Sequence, residues 1–218
     1  MVAPGITTKA LDNAVRQFCE DHKVQSATYG YQGFPAYCCT SVNHVVAHGI
    51  PSDRRLNSGS IVKIDVALQT KDGWHGDACA TFFAGTPNVK ANAVVNAARD
   101  TLAEACFQIQ AGVTTGDIGY FISRYARQCG FPVVHEYGGH GIGKAFHGLP
   151  FVPNVGVKGE GETLLAGMCI TVEPMLNIGN RYIKQLSDGS LVTRDRSWSA
   201  QFEHTILITE DGCEILTQ

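Results

Sequence analysis

Five side chains carry the chemistry open to this sequence: Asp65, Asp77, His140, Glu173 and Glu203. Each stands at or beside the end of a β-rich run, and no two are near enough along the chain to form a local motif, so the fold must assemble them. Four carboxylates gathered at one point repel each other, and their desolvation is costly. Two divalent cations would offset that charge while a neutral imidazole adds a nitrogen donor, so these residue types favour a two-metal hydrolytic centre. The mixed oxygen and nitrogen set suits Mn, Fe, Co or Zn and does not choose among them.

The surroundings of each residue sharpen this reading. Asp65 interrupts the apolar run from Ile61 to Val66, where a carboxylate needs a partner. Asp77 precedes the hydrophobic stretch 78–83, and Glu173 follows Ile170-Thr171-Val172. Glu203 shares its segment with His204, read as a packing or hydrogen-bonding group, and with Gln201, read as orienting a carboxylate from behind. His140 lies in a glycine-rich loop that has no Lys-Ser/Thr pair and is not a phosphate-binding fingerprint. His48 and His147 are candidates for hydrogen bonding at the same centre, with an ordinary surface or structural role as the alternative. The stretch from Tyr29 to Pro35 is either a core hairpin or a substrate wall; the choice depends on whether it faces the metals.

The elements that must position these residues recur. Gly5-Ile6-Thr7-Thr8 is echoed by Gly112-Val113-Thr114-Thr115, and each opens an amphipathic helical pattern with a threonine available as cap. The apolar faces are Leu11, Ala14, Val15, Phe18 and Cys19 in the first, and Ile118, Phe121, Ile122, Tyr125 and Cys129 in the second. Gly59 and Gly167 each begin a strand pattern that ends on a carboxylate six positions later, at Asp65 and Glu173. Two duplicated halves, 1–87 and 88–218, facing each other about a pseudo-twofold axis, account for both echoes. A long helix pattern over 88–110 has no counterpart before Gly5. Further strands are predicted over 42–46, 61–68, 74–83, 169–176 and 202–208, with Asp72-Gly73 as a hairpin turn. The architecture expected is an α/β (α+β) sandwich in one domain, 1–218, with antiparallel sheet inside and helices outside.

Composition narrows the class. A formal charge of −3 with no Lys/Arg stripe argues against nucleic acid as the main partner. No run reaches the length of a membrane span, and the amino terminus does not read as a targeting peptide. The eight cysteines lack a CxxC and sit mostly in apolar patterns, so free thiols in a reducing cytoplasm are expected.

Taken together, Cys39-Thr40-Ser41-Val42-Asn43, His48-Gly49-Ile50-Pro51, Ile64-Asp65-Val66, Asp72 to Asp77, Gly139 to Gly143, Glu173-Pro174-Met175 and Ser199 to Thr205 resemble type I methionine aminopeptidases over nearly the whole chain. The resemblance implies the pita-bread fold and removal of the initiator methionine from nascent chains whose second residue is small. It implies that Asp65 chelates one of two divalent ions, that Asp77 and Glu203 bridge the pair, and that His140 and Glu173 complete the second. Glu173 would shuttle the proton, His48 and His147 would contact the scissile amide and carbonyl, and Tyr31, Phe34, Cys39 and Phe146 would receive the methionine side chain. The implied partners are nascent polypeptide N-termini and the ribosome. Four features depart from the family pattern: the first helix is missing, one residue is added between Asp65 and Asp77, Ala47 replaces a cysteine, and a rim tryptophan is absent near Ser190 and Leu191. A proline-directed aminopeptidase or dipeptidase of the same fold, and a non-catalytic peptide- or ribosome-binding relative, are the competing readings.

Overall fold

The computed structural model describes residues 1–217. In the first half, α1 (Thr8–His22) starts where the Thr7 hydroxyl accepts a hydrogen bond from the Ala10 amide at 3.1 Å. It is followed by β1 (Gln25–Ser26), β2 (Cys39–Val42), β3 (Val45–Ala47), β4 (Ile61–Gln69) and β5 (His75–Phe83). Strand β4 pairs antiparallel with β1, β2 and β5. Its nine-residue ladder with β5 runs from Ile61↔Phe83 to Gln69↔His75 without a register shift. The ladder holds no bulge between Asp65 and Asp77, so any residue added there relative to the family pattern lies in the turn at 70–74, where Gly73 adopts φ +81°.

The second half contains α2 (Val89–Gln108), capped by Asn88, and α3 (Thr115–Gln128), whose Thr114 and Asp117 form a reciprocal capping box. Then come β6 (Gly138–Gly141), β7 (Gly148–Pro153), β8 (Cys169–Val172), β9 (Met175–Asn177), β10 (Ile183–Gln185), β11 (Leu191–Thr193), β12 (Ser199–Gln201), β13 (His204–Ile208) and β14 (Cys213–Ile215). A five-stranded sheet is ordered β14-β13-β8-β6-β7, β12 pairs with β9, and β10-β11 continue onto β3 of the first half. All these pairings are antiparallel.

Helices α2 and α3 bury Val94, Ala98, Leu102, Ile118 and Ile122 against Ile170, Val172 and Ile206. Each such Leu or Ile contributes about 1.5–3 kcal/mol by leaving water. The first-half core is smaller, with Leu11 of α1 meeting Val42, Leu56, Val62 and Ala84. Only part of the expected face of α1 is used. Leu11 and Cys19 are buried, but Phe18 is 46% exposed and stacks on His22, because no second helix flanks α1 among the described residues. Cys129, too, is exposed, and all eight cysteines are unpaired.

Two predicted strands are each divided. The 42–46 segment breaks at Asn43, which turns with φ +54°, and the 169–176 segment breaks at Glu173-Pro174. Proline cannot donate to the ladder, so the chain leaves β8 at Glu173, whose carboxylate meets Thr171 and Gln201.

The halves are joined along β5. The Thr205 hydroxyl donates to Asp77 O at 2.8 Å and accepts from Asp77 N at 2.9 Å. Cys79 and Glu203 exchange backbone hydrogen bonds. The Thr81 hydroxyl donates to Gln201 O at 2.7 Å and accepts from Gln201 N at 3.0 Å. These three stitches set the carboxylates of one half against those of the other. No helix among the described residues is long and apolar enough to cross a membrane.

Candidate metal centre

Beside this seam lies a cavity of about 530 Å³. Asp65 comes from β4, Asp77 from β5, His140 from β6, Glu173 from the end of β8, and Glu203 from the link between β12 and β13. All five line the cavity. One ligand atom from each of Asp77, His140 and Glu203 lies within 4.8 Å of the other two, and all three residues are buried. His140 Nε2 stands 3.8 Å from Asp77 Oδ2, too far for a hydrogen bond. Asp77 Oδ1 and Glu203 Oε1 are buried with no hydrogen-bond partner. Buried acceptors without donors are costly unless a cation satisfies them.

His140 is held by backbone proximity. A Cβ on Gly139 would lie 2.0 Å from the Thr171 carbonyl oxygen, and one on Gly141 would lie 2.0 Å from that of Leu149. Only glycine allows β6 to sit this close to its neighbours. The His140 amide donates to the Thr171 hydroxyl, and its Nδ1 lies 3.0 Å from Gly141 O. That carbonyl can only accept, so Nδ1 carries the proton and Nε2 presents its lone pair towards Asp77.

The electrostatics are those of a crowded acidic site. Burial pushes Asp65 up to about 6. Asp77, Glu173 and Glu203 rise well above the ordinary carboxylate range, first through desolvation and then through repulsion among neighbouring carboxylates. Desolvation lowers His48 and His140, and it takes His147 down to about 4 with help from the neighbouring imidazoles. Neutral imidazoles suit ligation and hydrogen bonding.

The remaining sequence candidates, His48, His147, Tyr31, Phe34, Cys39 and Phe146, line the same cavity. The Tyr29–Pro35 segment thus faces the acidic centre and is not a core hairpin. His147 Nδ1 lies 2.9 Å from the Tyr31 hydroxyl, and Phe146 packs edge-on to Tyr31. His48 occupies the left-handed region at φ +56° with its ring against Tyr137. Gln201 Nε2 donates to Glu173 Oε2 at 3.4 Å, whereas His204 bonds Thr217.

Other cavity residues had not been singled out in the sequence: Thr28, Tyr137, Met175, Gln185, Asp188 and Gly189. Gln185, Asp188 and Gly189 belong to the β10–β11 hairpin, whose rim is small and polar. Ala47 is buried in β3 and also lines the cavity. His75, two residues before Asp77, stacks on Phe146 with 5.7 Å between ring centroids and bonds Gly143 O. Its neighbour Asp77 was the only signal.

Residues 1–210 match the model of metallopeptidase family M24. The chain is 45% identical to methionine aminopeptidase A of Synechocystis over 219 residues, covering all of this chain and 86% of the relative. Against the crystal structure of methionine aminopeptidase from Rickettsia prowazekii the TM-score is 0.96 at 43% identity, covering 100% of this chain and 88% of that one. The Thermotoga maritima methionine aminopeptidase structure gives 0.97 at 36% identity, with the same coverage. The antiparallel sheets and their helices are the pita-bread fold. With these likenesses along its whole length and a buried Asp–His–Glu cluster at its centre, the chain belongs to metallopeptidase family M24, among the methionine aminopeptidases.

Proposed function

We propose that this chain is a dinuclear metallo-aminopeptidase that removes the N-terminal methionine from nascent proteins and peptides with a small second residue. The observation that carries the reading is the convergence of Asp77, His140 and Glu203 at one end of a cavity walled by Tyr31, Phe34, Cys39 and Phe146. The orphaned buried oxygens of Asp77 and Glu203 fit divalent ions, and Asp65 and Glu173 enlarge the donor set to five residues, enough for two. When bound, such ions supply positive charge for the developing oxyanion and lower the pKa of a water. Co, Mn, Fe and Zn all suit the donors.

The protein's own groups perform the rest. Glu173, raised by burial and steadied by Gln201 and Thr171, takes a proton from the attacking water and passes it towards the leaving amine. His147, fixed by the Tyr31 hydroxyl, donates to the scissile carbonyl oxygen, and His48 holds the amide across the cavity. The aromatic wall accepts an unbranched thioether by apolar and sulfur–ring contacts. The catalytic unit is a single domain, 1–218, with halves 1–87 and 88–218. Its partners are nascent polypeptide N-termini at the ribosome, and its compartment is the cytoplasm.

Hydrolysis of a peptide panel by metal-reconstituted protein, with product identification, tests this. Met-Ala and Met-Gly peptides should be cleaved after methionine, and chelation should abolish turnover. Rapid Xaa-Pro cleavage without Met-Ala cleavage rejects the substrate assignment. Metal binding without any turnover supports a non-catalytic peptide-binding relative instead.

A further inference from the structure

Lys63 is among the largest fully buried side chains, at 1% exposure, and the mechanism does not use it. It sits on β4 in an otherwise apolar run, where an aliphatic residue would pack without the penalty of burying an amine. Its Nζ donates to two backbone carbonyls, Ser199 O at 2.7 Å and Asn43 O at 3.1 Å. Asn43 O also accepts from Ser199 N at 3.0 Å, so the first-half turn after β2 and the start of β12 meet at this nitrogen.

The location gives the contact its meaning. The seam runs Asp77–Thr205, Cys79–Glu203, Thr81–Gln201, and Lys63 is the register partner of Thr81. Lys63 therefore supplies the next stitch, at Ser199, by reaching across from β4. Ser199 lies two residues before Gln201, which touches Glu173, and four before Glu203. We propose that Lys63 is a positioning residue for the metal centre: its Nζ fixes the start of β12 to the first half and so holds Gln201 and Glu203 in place opposite Asp77. The inference rests on the metallopeptidase reading above.

Lys63→Met, which keeps the length and apolar stem but not the donor, tests it beside wild type and Ile118→Val, a core change in α3. The readouts are circular dichroism, Mn(II) affinity by calorimetry, the visible spectrum of the Co(II)-loaded protein, and kcat and KM for a Met-Ala peptide. Lys63→Met is expected to fold, to bind Mn(II) at least about tenfold more weakly, to show an altered Co(II) spectrum and to lose about tenfold or more in kcat with KM little changed. Ile118→Val should lower thermal stability without changing Mn(II) affinity. If Lys63→Met does not fold, Lys63→Gln, whose amide nitrogen falls one bond short of the position from which Nζ joins Ser199 O and Asn43 O, decides by the same readouts, with weakened Mn(II) binding expected. Either lysine variant folded with wild-type metal affinity and kcat overturns the proposal. A wild-type protein that neither binds Mn(II) nor cleaves Met-Ala removes the metallopeptidase reading itself, and the role of Lys63 with it.

Discussion

Removing metal should make this protein less stable as pH rises, the reverse of its behaviour with metal bound. Asp77, Glu173 and Glu203 are held above their ordinary range by burial and mutual repulsion. Carboxyls of the unfolded chain titrate near about 4. From about pH 7.5 to about pH 8.5 the unfolded chain has released its carboxyl protons, while the metal-free folded protein retains them on its raised groups. Stability from a raised carboxyl is fully present below the unfolded pKa and is lost as pH climbs through the folded one, at about 1.4 kcal/mol per pH unit for each net proton. The lowered histidines His44, His48, His135, His140, His147 and His204 have the opposite sign, but their contribution is nearly spent by about pH 7.5, one unit above the value at which unfolded imidazole charges. Lys63, taken down to about 7 by burial, opposes one carboxyl within the window. Each carboxyl proton retained beyond the one that Lys63 offsets lowers stability by about 1.4 kcal/mol per pH unit. For a chain of this size that is a fall of roughly 3–6 °C in Tm across the window for each such proton. Scanning calorimetry of chelator-treated protein at both pH values measures it, and saturating Mn(II) should turn the trend upward because bound carboxylates must be deprotonated. A metal-free Tm that is flat or rising over this range refutes the view of the centre as crowded, uncompensated acid.

Two substitutions probe the site directly. Glu173→Gln should lower kcat by about 10²–10⁴ while the circular dichroism spectrum is retained, and wild-type turnover at saturating metal would remove Glu173 from proton transfer. Gly139→Ala must push β6 away from the Thr171 carbonyl, costing about 1–3 kcal/mol or more in thermal or denaturant unfolding and weakening metal binding through His140. Gly76→Ala, whose Cβ meets nothing within 4 Å, is the near-neutral companion, and an equal loss in both variants would contradict the packing argument.

The metal-site candidates were legible because carboxylates inside apolar runs are anomalous wherever they occur, and the helix starts were legible because capping is local chemistry. Thr7 and Thr114 cap as their positions suggest, and Val89–Gln108 is the long helix expected over 88–110. The strand breaks were harder. Asn43 and Glu173-Pro174 interrupt runs whose composition reads as continuous, since a turn that aims a side chain need not change hydrophobicity. Tyr137, Met175 and Asp188 reach the cavity only through long-range packing, which leaves no local trace. Lys63 lay in plain view two residues before Asp65, but its partner Ser199 is 136 positions away. Phe18 misled because periodicity describes what a helix offers, not what is there to receive it.

The seam along β5 also bears on dissection. Asp77 belongs to one half, while His140 and Glu203 belong to the other, so neither fragment alone owns the buried Asp–His–Glu cluster. Cutting the chain between Phe83 and Val89 would leave two inert pieces whose chemistry returns only on reassociation. In a molecule built this way, assembly and competence are a single event.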